Sequence, residues 1–372
     1  MPDSAFRMFF DGQPATQAQL DRVELVTVEQ RADVAWVARF RFPVQVDANG
    51  KWNSEDDPFA APFRSVRIEV RVGPHPFVAL IEGPVVGSRA EMSGTPGQSS
   101  VTVEVNDASV TMNREETVYV RQGQTADGIA RELFSAAGVT PRQVDGVPPP
   151  SGGMQPSYSH RGTAIQFLRA LARPNGMYAA VLPGEALGAP AGHFRAFPTE
   201  PDGLPDLVLL GPGRNTAAFD VTDNAQRPAS TQGSALSAAD KQTTPATSSP
   251  AEVPQLGSES AAPAAAPAVA LTRPGRDGAV DVRQTVRAAT ERASYALNAT
   301  GRVTFDAYPG VLSPYRVVTV RGADGRNSGN WAVQAVTHTI DRTQYAQDFT
   351  LRRNARSSGS GAAPPLPPSG VF

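Results

Sequence analysis

Strict alternation of apolar and charged residues is the feature that most constrains the fold of this chain. In residues 66–72, VRIEVRV, four apolar residues alternate with Arg67, Glu69 and Arg71. A strand turns successive side chains to opposite faces, so this spacing predicts a β-strand with one buried and one solvated face. Residues 34–42, VAWVARFRF, show the same period with aromatic side chains on one face. The sequence therefore predicts mainly β structure.

Further alternating segments lie at both ends of the chain. They are FVALIEGPVV and SVTVEVND early on, and RVTFDAY, YRVVTVRG, WAVQAVTHTI and YAQDFTLRR near the end. Residues 77–107 and 330–354 each close a β-rich region with two long strands around a polar turn. This similarity suggests a duplicated module.

Three segments have the spacing of amphipathic helices. The first includes Leu133 and Phe134 and ends at Gly138, a residue suited to a left-handed helix end. The second begins at Thr163 and Gln166, which form a capping-box pattern. Residues 282–297 form the third.

These patterns predict an α+β fold, mainly β, with two related antiparallel β-barrel domains and a helix-containing insert. Residues 224–275 are rich in Ala, Pro and Ser without periodicity, so they predict a disordered linker. The predicted organisation is 1–112, first β-barrel; 113–200, α/β insert with two helices; 201–223 with 276–354, second β-barrel; 224–275, flexible linker or loop; and 355–372, disordered tail.

The amino-acid composition bears on the expected partners and on the compartment in which the chain folds. The chain has 372 residues, 19% of them charged, and a formal net charge of −2, which gives no reason to expect nucleic acid as a partner. It contains no cysteine, which fits folding in a reducing cytoplasm. The N-terminal sequence has no basic start followed by an apolar run, and no stretch approaches the roughly 18 apolar residues of a membrane span. We expect no signal peptide and no membrane insertion.

No catalytic motif is recognisable in the sequence. The histidines at 75, 160, 193 and 338 lack the spacing of a transition-metal site. No nucleophile elbow, phosphate loop or dinucleotide fingerprint is present. We therefore predict no enzyme activity, no catalytic, cofactor-binding or metal-binding residues, and no cofactor.

Residues 118–138, VYVRQGQTADGIARELFSAAG, have a strand, a turn and a helix like the start of a LysM peptidoglycan-binding repeat. LysM repeats continue with a second helix and a closing strand within about twenty residues, but here prolines in TPRQVDGVPPPSGGMQPSYSH exclude a regular helix. A LysM-type cell-wall or tail protein remains the alternative. A secreted carbohydrate-binding or adhesin domain has less support, because Trp36 and Trp331 lie on predicted strands where core packing is the default.

Three longer segments together resemble bacteriophage late-control D proteins, the baseplate hub family of contractile tails. They are SVTVEVNDASVTMNREETVYVRQGQTADGIARELFSAAGV, RGTAIQFLRALARPNGMYAAVLPG and GVLSPYRVVTVRGADGRNSGNWAVQAVTHTIDRTQYAQDFTLRRN, and they occur in the family's order. They cover about half of the chain. The long segment 224–275 departs from the family's pattern.

The resemblance implies a structural protein rather than an enzyme. In this family three copies form a ring beneath the tail tube, and six barrels from three chains match the sixfold tube while threefold symmetry matches a trimeric spike. The expected partners are two further copies, a tail tube protein, a trimeric spike protein and other baseplate proteins. The expected location is the cytoplasm during assembly and then the baseplate of a phage tail or injection particle. Type VI secretion spikes and extracellular contractile injection systems contain the same hub.

Candidate interface residues lie on the strands expected to face the tube or a neighbouring subunit. They are Arg67, Arg71, Trp331, His338, Asp341 and Arg352. The turn at 322–330 is expected to form a rim loop.

Overall fold

A computed structural model provides the structure of the chain. It describes residues 4–45, 51, 64–95, 97–149, 155–224, 226–227, 229–236, 242–262, 268–272 and 281–357. Most of the predicted tail lies outside the described residues, as does Trp52.

The described residues of the first region form seven strands, one short helix and a 3-10 helix. The strands are β1 (Ser4–Phe10), β2 (Gln13–Pro14), β3 (Leu25–Arg31), β4 (Val37–Pro43), β5 (Ser65–Val72), β6 (Val78–Glu91) and β7 (Ser100–Asn106). Helix α1 is Gln17–Leu20, and the 3-10 helix is Ala108–Asn113.

The middle region contains the two predicted helices and five strands. In chain order its elements are β8 (Thr117–Gln122), α2 (Ala126–Ala136), β9 (Thr140–Val144), β10 (Ser157–Gly162), α3 (Ala164–Ala172), β11 (Met177–Leu182) and β12 (Ala191–Ala196). A 3-10 turn, Arg173–Asn175, follows α3.

The last region begins with short strands and ends with long ones. Its elements are β13 (Leu207–Val208), β14 (Ala218–Asp223), β15 (Ala229–Leu236), β16 (Thr243–Ser248), a 3-10 turn (Pro250–Glu252), β17 (Glu259–Ser260), β18 (Ala268–Leu271), α4 (Val282–Ser294), β19 (Leu297–Thr304), β20 (Val317–Arg321), β21 (Gly329–Asp341), β22 (Tyr345–Arg353) and β23 (Ala355–Arg356).

Helix boundaries follow from local capping. The Thr163 side chain accepts a hydrogen bond from the backbone of Gln166, and the Gln166 side chain accepts one from the backbone N–H of Thr163, which confirms the predicted capping box. Thr125 caps α2 in a similar way by accepting from Gly128. Gly138 follows α2 with φ of +71°, the left-handed conformation that was predicted.

One 13-stranded sheet joins the first and last regions of the chain. Its main path runs β14-β19-β22-β21-β3-β4-β7-β6-β5-β1-β2, and β20 and β13 branch from β21. The junction is the antiparallel pairing of β21 with β3, from Ala335 opposite Arg31 to Asp341 opposite Leu25. Both predicted long hairpins are present, since β6 pairs with β7 and β21 pairs with β22.

The described strands do not close into the two barrels that were predicted. At the ends of the main path, β2 and β14 each pair with only one described neighbour, so the path is open. At the junction, β21 pairs with β20 and β22 of its own region and, from Ala335 to Asp341, with β3 of the first region, which joins the two regions in one path. Large antiparallel sheets are the confirmed part of the prediction.

Part of the predicted linker has regular structure. Within 224–275, β15 pairs antiparallel with β16 and parallel with β18, and Val286 and Thr290 of α4 lie against this three-stranded sheet. Small side chains such as Ala246 and Ser248 are buried beneath the helix. No periodic apolar signal marks these strands in the sequence, because the positions of β15 and β16 that face α4 are Ala, Ser, Thr and Gly.

Three large apolar clusters form the core. The first lies under β1 to β7 and includes Trp36 and Phe40. The second holds α2 and α3 together, and the third lies under the last strands around Trp331. Tyr178 of β11 stacks on Tyr315 with ring centroids 4.0 Å apart, so the middle region packs directly on the sheet.

Candidate assembly surfaces

Arg67 lies on β5 in a buried network of charges. Its side chain donates to Glu69 Oε1 at 2.6 Å and to Glu82 Oε2 at 2.8 Å. Arg7 forms a second ion pair with Glu69. The Arg67 side chain is only 6% exposed, so the predicted solvated face of β5 is covered.

The cover is the loop between β11 and β12. Arg67 Nη1 donates to the carbonyl oxygen of Gly184 at 2.7 Å, and the backbone N–H of Gly188 donates to Glu82 Oε1 at 2.7 Å. Arg67 therefore holds the middle region on the sheet. The face of β5 that was predicted to be solvated is covered at Arg67, because alternation along one strand cannot report what another segment covers.

Arg71 stays partly exposed near the end of β5. Its guanidinium lies over the ring of Phe77, 5.0 Å from the centroid, and the guanidinium of Arg7 lies over the same ring at 4.1 Å. Two guanidinium groups therefore lie against one aromatic ring at the end of β5, and Glu69 compensates the charge of Arg7. A role of Arg71 in an interface stays a prediction.

His338 is fully buried on β21. Its Nδ1 lies 2.8 Å from the Tyr345 hydroxyl, and its Nε2 lies 3.2 Å from Gln30 Oε1. Gln30 uses its amide nitrogen on the carbonyl oxygen of Leu80, so its oxygen accepts and His338 Nε2 donates. Burial lowers the pKa of His338 to about 3, which keeps the ring neutral. His338 links β21 to β3 inside the core and does not reach the surface.

Trp331 is also enclosed within the chain. Its indole N–H donates to the carbonyl oxygen of Asn327 at 2.9 Å, and Phe219 packs against it edge-on. Arg353 lies over the indole ring at 5.7 Å and donates to the carbonyl oxygens of Arg326 and Ser328. The Trp331 side chain is therefore buried, and it contacts and stabilises the 322–330 turn.

Asp341 begins the turn between β21 and β22. Its carboxylate accepts from the hydroxyl and the backbone N–H of Thr343, both at 2.7 Å, and from the backbone N–H of Gln344 at 2.9 Å. These hydrogen bonds, that of the Thr343 side chain first, lower the pKa of Asp341. The carboxylate therefore shapes the turn and carries a negative charge at its tip.

This turn is one wall of an open groove of about 790 Å³. Phe6 of β1, Leu20 of α1 and Ile340 of β21 supply apolar surface, and Asp21 and Asp341 lie at the rim. The groove brings the first and last strands of the chain to one surface.

Arg352 lies on β22 beside the middle region. Its guanidinium is 4.2 Å from the ring centroid of Tyr295 and 4.7 Å from that of Phe197. Nearby, Arg292 of α4 donates to the carbonyl oxygen of Arg173 at 2.5 Å. The six predicted residues are therefore spread over several sites, and Arg71, Asp341 and Arg352 are the three that keep partial exposure.

Exposed apolar side chains on sheet faces were missed by the sequence analysis. On β8, Val118 and Val120 are exposed, while Tyr119 between them stacks on Phe167 of α3. The residues TVYV alternate, but alternation alone does not report which face of the strand is exposed. A second exposed apolar set lies on β15 and β18.

The described residues contain no group of three His, Cys, Asp or Glu side chains placed to hold a metal ion. No helix among the described residues is long and apolar enough to span a membrane.

Comparison with known proteins gives matches at the level of structure alone. No family model and no curated protein matches the sequence. The tail protein from Neisseria meningitidis MC58 matches with a TM-score of 0.63 and 11% identity, covering 94% of this chain and 96% of that one. The prophage MuSo2 43 kDa tail protein from Shewanella oneidensis matches with a TM-score of 0.66 and 12% identity, covering 95% and 99%.

A secretion protein shares the same fold. The E. coli c3393 protein, a component of the type VI secretion system, matches with a TM-score of 0.52 and 10% identity over 98% of this chain and 80% of that one. The chain therefore has the fold of phage tail proteins and of a type VI secretion component, and the match extends over nearly its whole length.

Proposed function

We propose that this chain is a structural baseplate hub protein of a contractile tail or contractile injection system. Three copies form a ring that adapts the sixfold tail tube to a threefold spike. The partners are the tube protein, the trimeric spike protein and other baseplate proteins. Assembly takes place in the cytoplasm, and the protein then remains in the baseplate.

One observation carries this proposal. The fold matches two tail proteins over at least 94% of both chains, so the likeness covers the whole architecture and not one common motif. The match to a type VI secretion component supports the wider class of contractile systems. Because the identities are near 11%, the likeness concerns the fold, and the proposed function is tested by assembly with purified partners.

The arrangement of strands supports the symmetry argument. The chain contains two long hairpins, β6–β7 and β21–β22, that lie in one continuous sheet. We propose that they belong to two related β units, residues 1–112 and residues 201–223 with 276–354, with 113–200 as an insert. Three chains would then present six units to the tube, and a closed ring needs heterologous contacts that return to their start.

Three residues are proposed as contacts between proteins. Arg71 lies over the ring of Phe77, Asp341 lines the groove, and Arg352 lies over two aromatic rings. Each side chain is partly exposed and can meet a partner without unfolding a strand. Charged contacts at a rim set orientation and association rate more than total affinity.

The test is assembly with purified partners. The chain is expressed alone and with the tube and spike proteins encoded beside it, and particle mass is measured by light scattering. We expect a mass three times that of the 39.2 kDa chain and binding of both partners in that form. A chain that stays monomeric with tube and spike present would show that the proposal is wrong.

A LysM-type peptidoglycan-binding protein is the alternative. A LysM repeat needs a second helix between its paired strands, whereas β8 and β10 enclose α2 and strand β9, with no second helix among the described residues between them. This arrangement disfavours the alternative. Sedimentation with purified peptidoglycan sacculi distinguishes the two, since only a LysM-type protein would pellet with them.

A further inference from the structure

In the three-stranded sheet of β15, β16 and β18, helix α4 covers one face of β15 and β16, whereas all four residues of β18 are exposed. Helix α4 covers one side, where Ala229, Thr231, Ala246 and Ser248 are buried. Val286 of α4 lies close to where a side chain on Gly233 would project. Because side chains alternate along a strand, the intervening residues of β15 point away from α4.

The open side, here called the uncharged sheet face, carries Leu236 of β15 and Val269 and Leu271 of β18. Their exposed fractions are 70%, 55% and 80%. Strand pairing places Val269 opposite Ser230 and Leu271 opposite Gln232, so the two β18 side chains lie on the same side as the outward residues of β15. Val269 and Leu271 are neighbours on one face of β18, and Leu236 lies four positions beyond Gln232 along β15. Exposed apolar side chains grouped on one face are typical of an interaction site.

The residue types on this face indicate which kind of partner could cover it. Its other described positions are Ser, Thr, Gln and Pro, and none is ionisable. A partner that covers it therefore removes no charge from water, and no like charges meet if the partner is another copy of the same chain.

The two edges of the sheet differ. The β16 edge contains Pro245, which lacks an N–H and so cannot extend a full ladder of hydrogen bonds. The β18 edge, AVAL, contains neither proline nor a charged residue, and no described strand pairs with it on that side. An edge without such protection is normally covered in the assembled protein.

We propose that the uncharged sheet face and the adjoining β18 edge form a contact with a second copy of this chain. The inference rests on the proposed ring, in which each copy must present a surface to its neighbour. The three strands have 18 residues, each about 3.3 Å along the strand and 4.8 Å across, so they cover roughly 300 Å². This is below the roughly 800 Å² per partner of a standard interface, so the face is one part of a larger contact.

Cysteine labelling tests the proposal directly, because the chain has no cysteine of its own. Leu271→Cys places a thiol on the face, and Val118→Cys places a matched thiol on β8, where the valine is 66% exposed. We expect maleimide to label Leu271→Cys at least 10-fold more slowly than Val118→Cys in the assembled chain, and at a similar rate in any monomer fraction.

The outcomes separate this inference from the proposed function. If the chain is a trimer and both thiols react equally fast, the proposed contact surface is wrong but the ring is not. The same conclusion follows if Leu271→Cys is protected only after a tube or spike protein is added. A monomer by light scattering overturns both. As a second variant, Leu236→Lys with Leu271→Lys should dissociate the assembly while the chain stays folded by circular dichroism, and an assembly that persists contradicts the proposal.

Discussion

The Arg67 guanidinium is buried between the carboxylates of Glu69 and Glu82. The loop that covers it supplies a carbonyl oxygen and an N–H group, so the charges on both sides are hydrogen-bonded. A buried ion pair contributes little over an apolar substitute, but losing one partner leaves an uncompensated charge. The network thus fixes where the middle region sits.

Replacing Arg67 with Met should lower the free energy of unfolding by about 3–5 kcal/mol, because two carboxylates lose their buried cation. Urea unfolding followed by circular dichroism measures the change. Arg302→Met is the matched control, since Arg302 pairs with Asp348 on the surface and both side chains are nearly half exposed. The control should cost no more than about 1 kcal/mol. Equal losses in both variants would contradict the buried-network interpretation.

His338 makes stability depend on pH in a defined direction. Burial lowers its pKa to about 3 in the folded chain, whereas unfolded histidine titrates near pH 6.5. The unfolded chain therefore takes up a proton first, so this contribution is fully present above pH 6.5 and is lost as pH falls toward 3.

In the variant His338→Gln, the free energy of unfolding should fall less steeply as the pH is lowered, by about 1.4 kcal/mol per pH unit between pH 6.5 and 3. Urea unfolding at several pH values between 6.5 and 4 measures the slope. Burial lowers the pKa of His193 to about 4, so His193→Gln should remove a separate, additive share. A slope for His338→Gln equal to that of the parent would refute the assignment.

At the scale of elements, β6 bends closely against the segment that follows β7. A Cβ on Gly83 would lie 2.0 Å from the carbonyl oxygen of Asn106 and 2.7 Å from the carbonyl carbon of Asp107. Both contacts are backbone atoms, which cannot move aside as a flexible side chain can. Only glycine allows this approach without a shift of the strands.

Gly83→Ala should therefore lower the free energy of unfolding by about 1–3 kcal/mol or more through overpacking. Gly87→Ala on the same strand is the control, because no atom lies within 4 Å of its added Cβ, and it should be nearly neutral. Thermal unfolding of the two variants side by side checks this. Two variants of equal stability would be inconsistent with the close approach.

The 224–275 segment shows the limit of pattern analysis for elements. The residues of β15 and β16 that face α4 are Ala, Ser, Thr and Gly, which give no contrast with the outward positions, and all four residues of β18 are exposed. β15 and β16 pack on α4, whose own spacing predicts a helix. Strongly amphipathic elements such as α2, α3 and β7 were predictable, since one face of each is large and apolar.

At the scale of the whole molecule, the pairing of β21 with β3 joins the first and last regions into one sheet. His338 and Gln30 add a buried hydrogen bond across the same junction. Regions joined through a continuous ladder and a shared core are expected to unfold together rather than as separate domains.

Tryptophan fluorescence can test this coupling. Trp36 reports on the first core and Trp331 on the last, so single-tryptophan variants are made by replacing the other two tryptophans with Phe. Each is compared with its own circular dichroism transition, and we expect coincident urea midpoints. Well-separated midpoints for Trp36 and Trp331 would mean independent domains.

The sequence by itself determined the mainly β class, the two helices of the middle region, their caps and the two long hairpins. Those features depend on side chains within a few residues of one another, which periodicity reports. The burial of Arg67, the neutral His338 and the open sheet path depend on segments more than a hundred residues away. Only the tertiary structure decided them, because what covers a strand face is set by a distant loop or strand and leaves no mark on the local pattern.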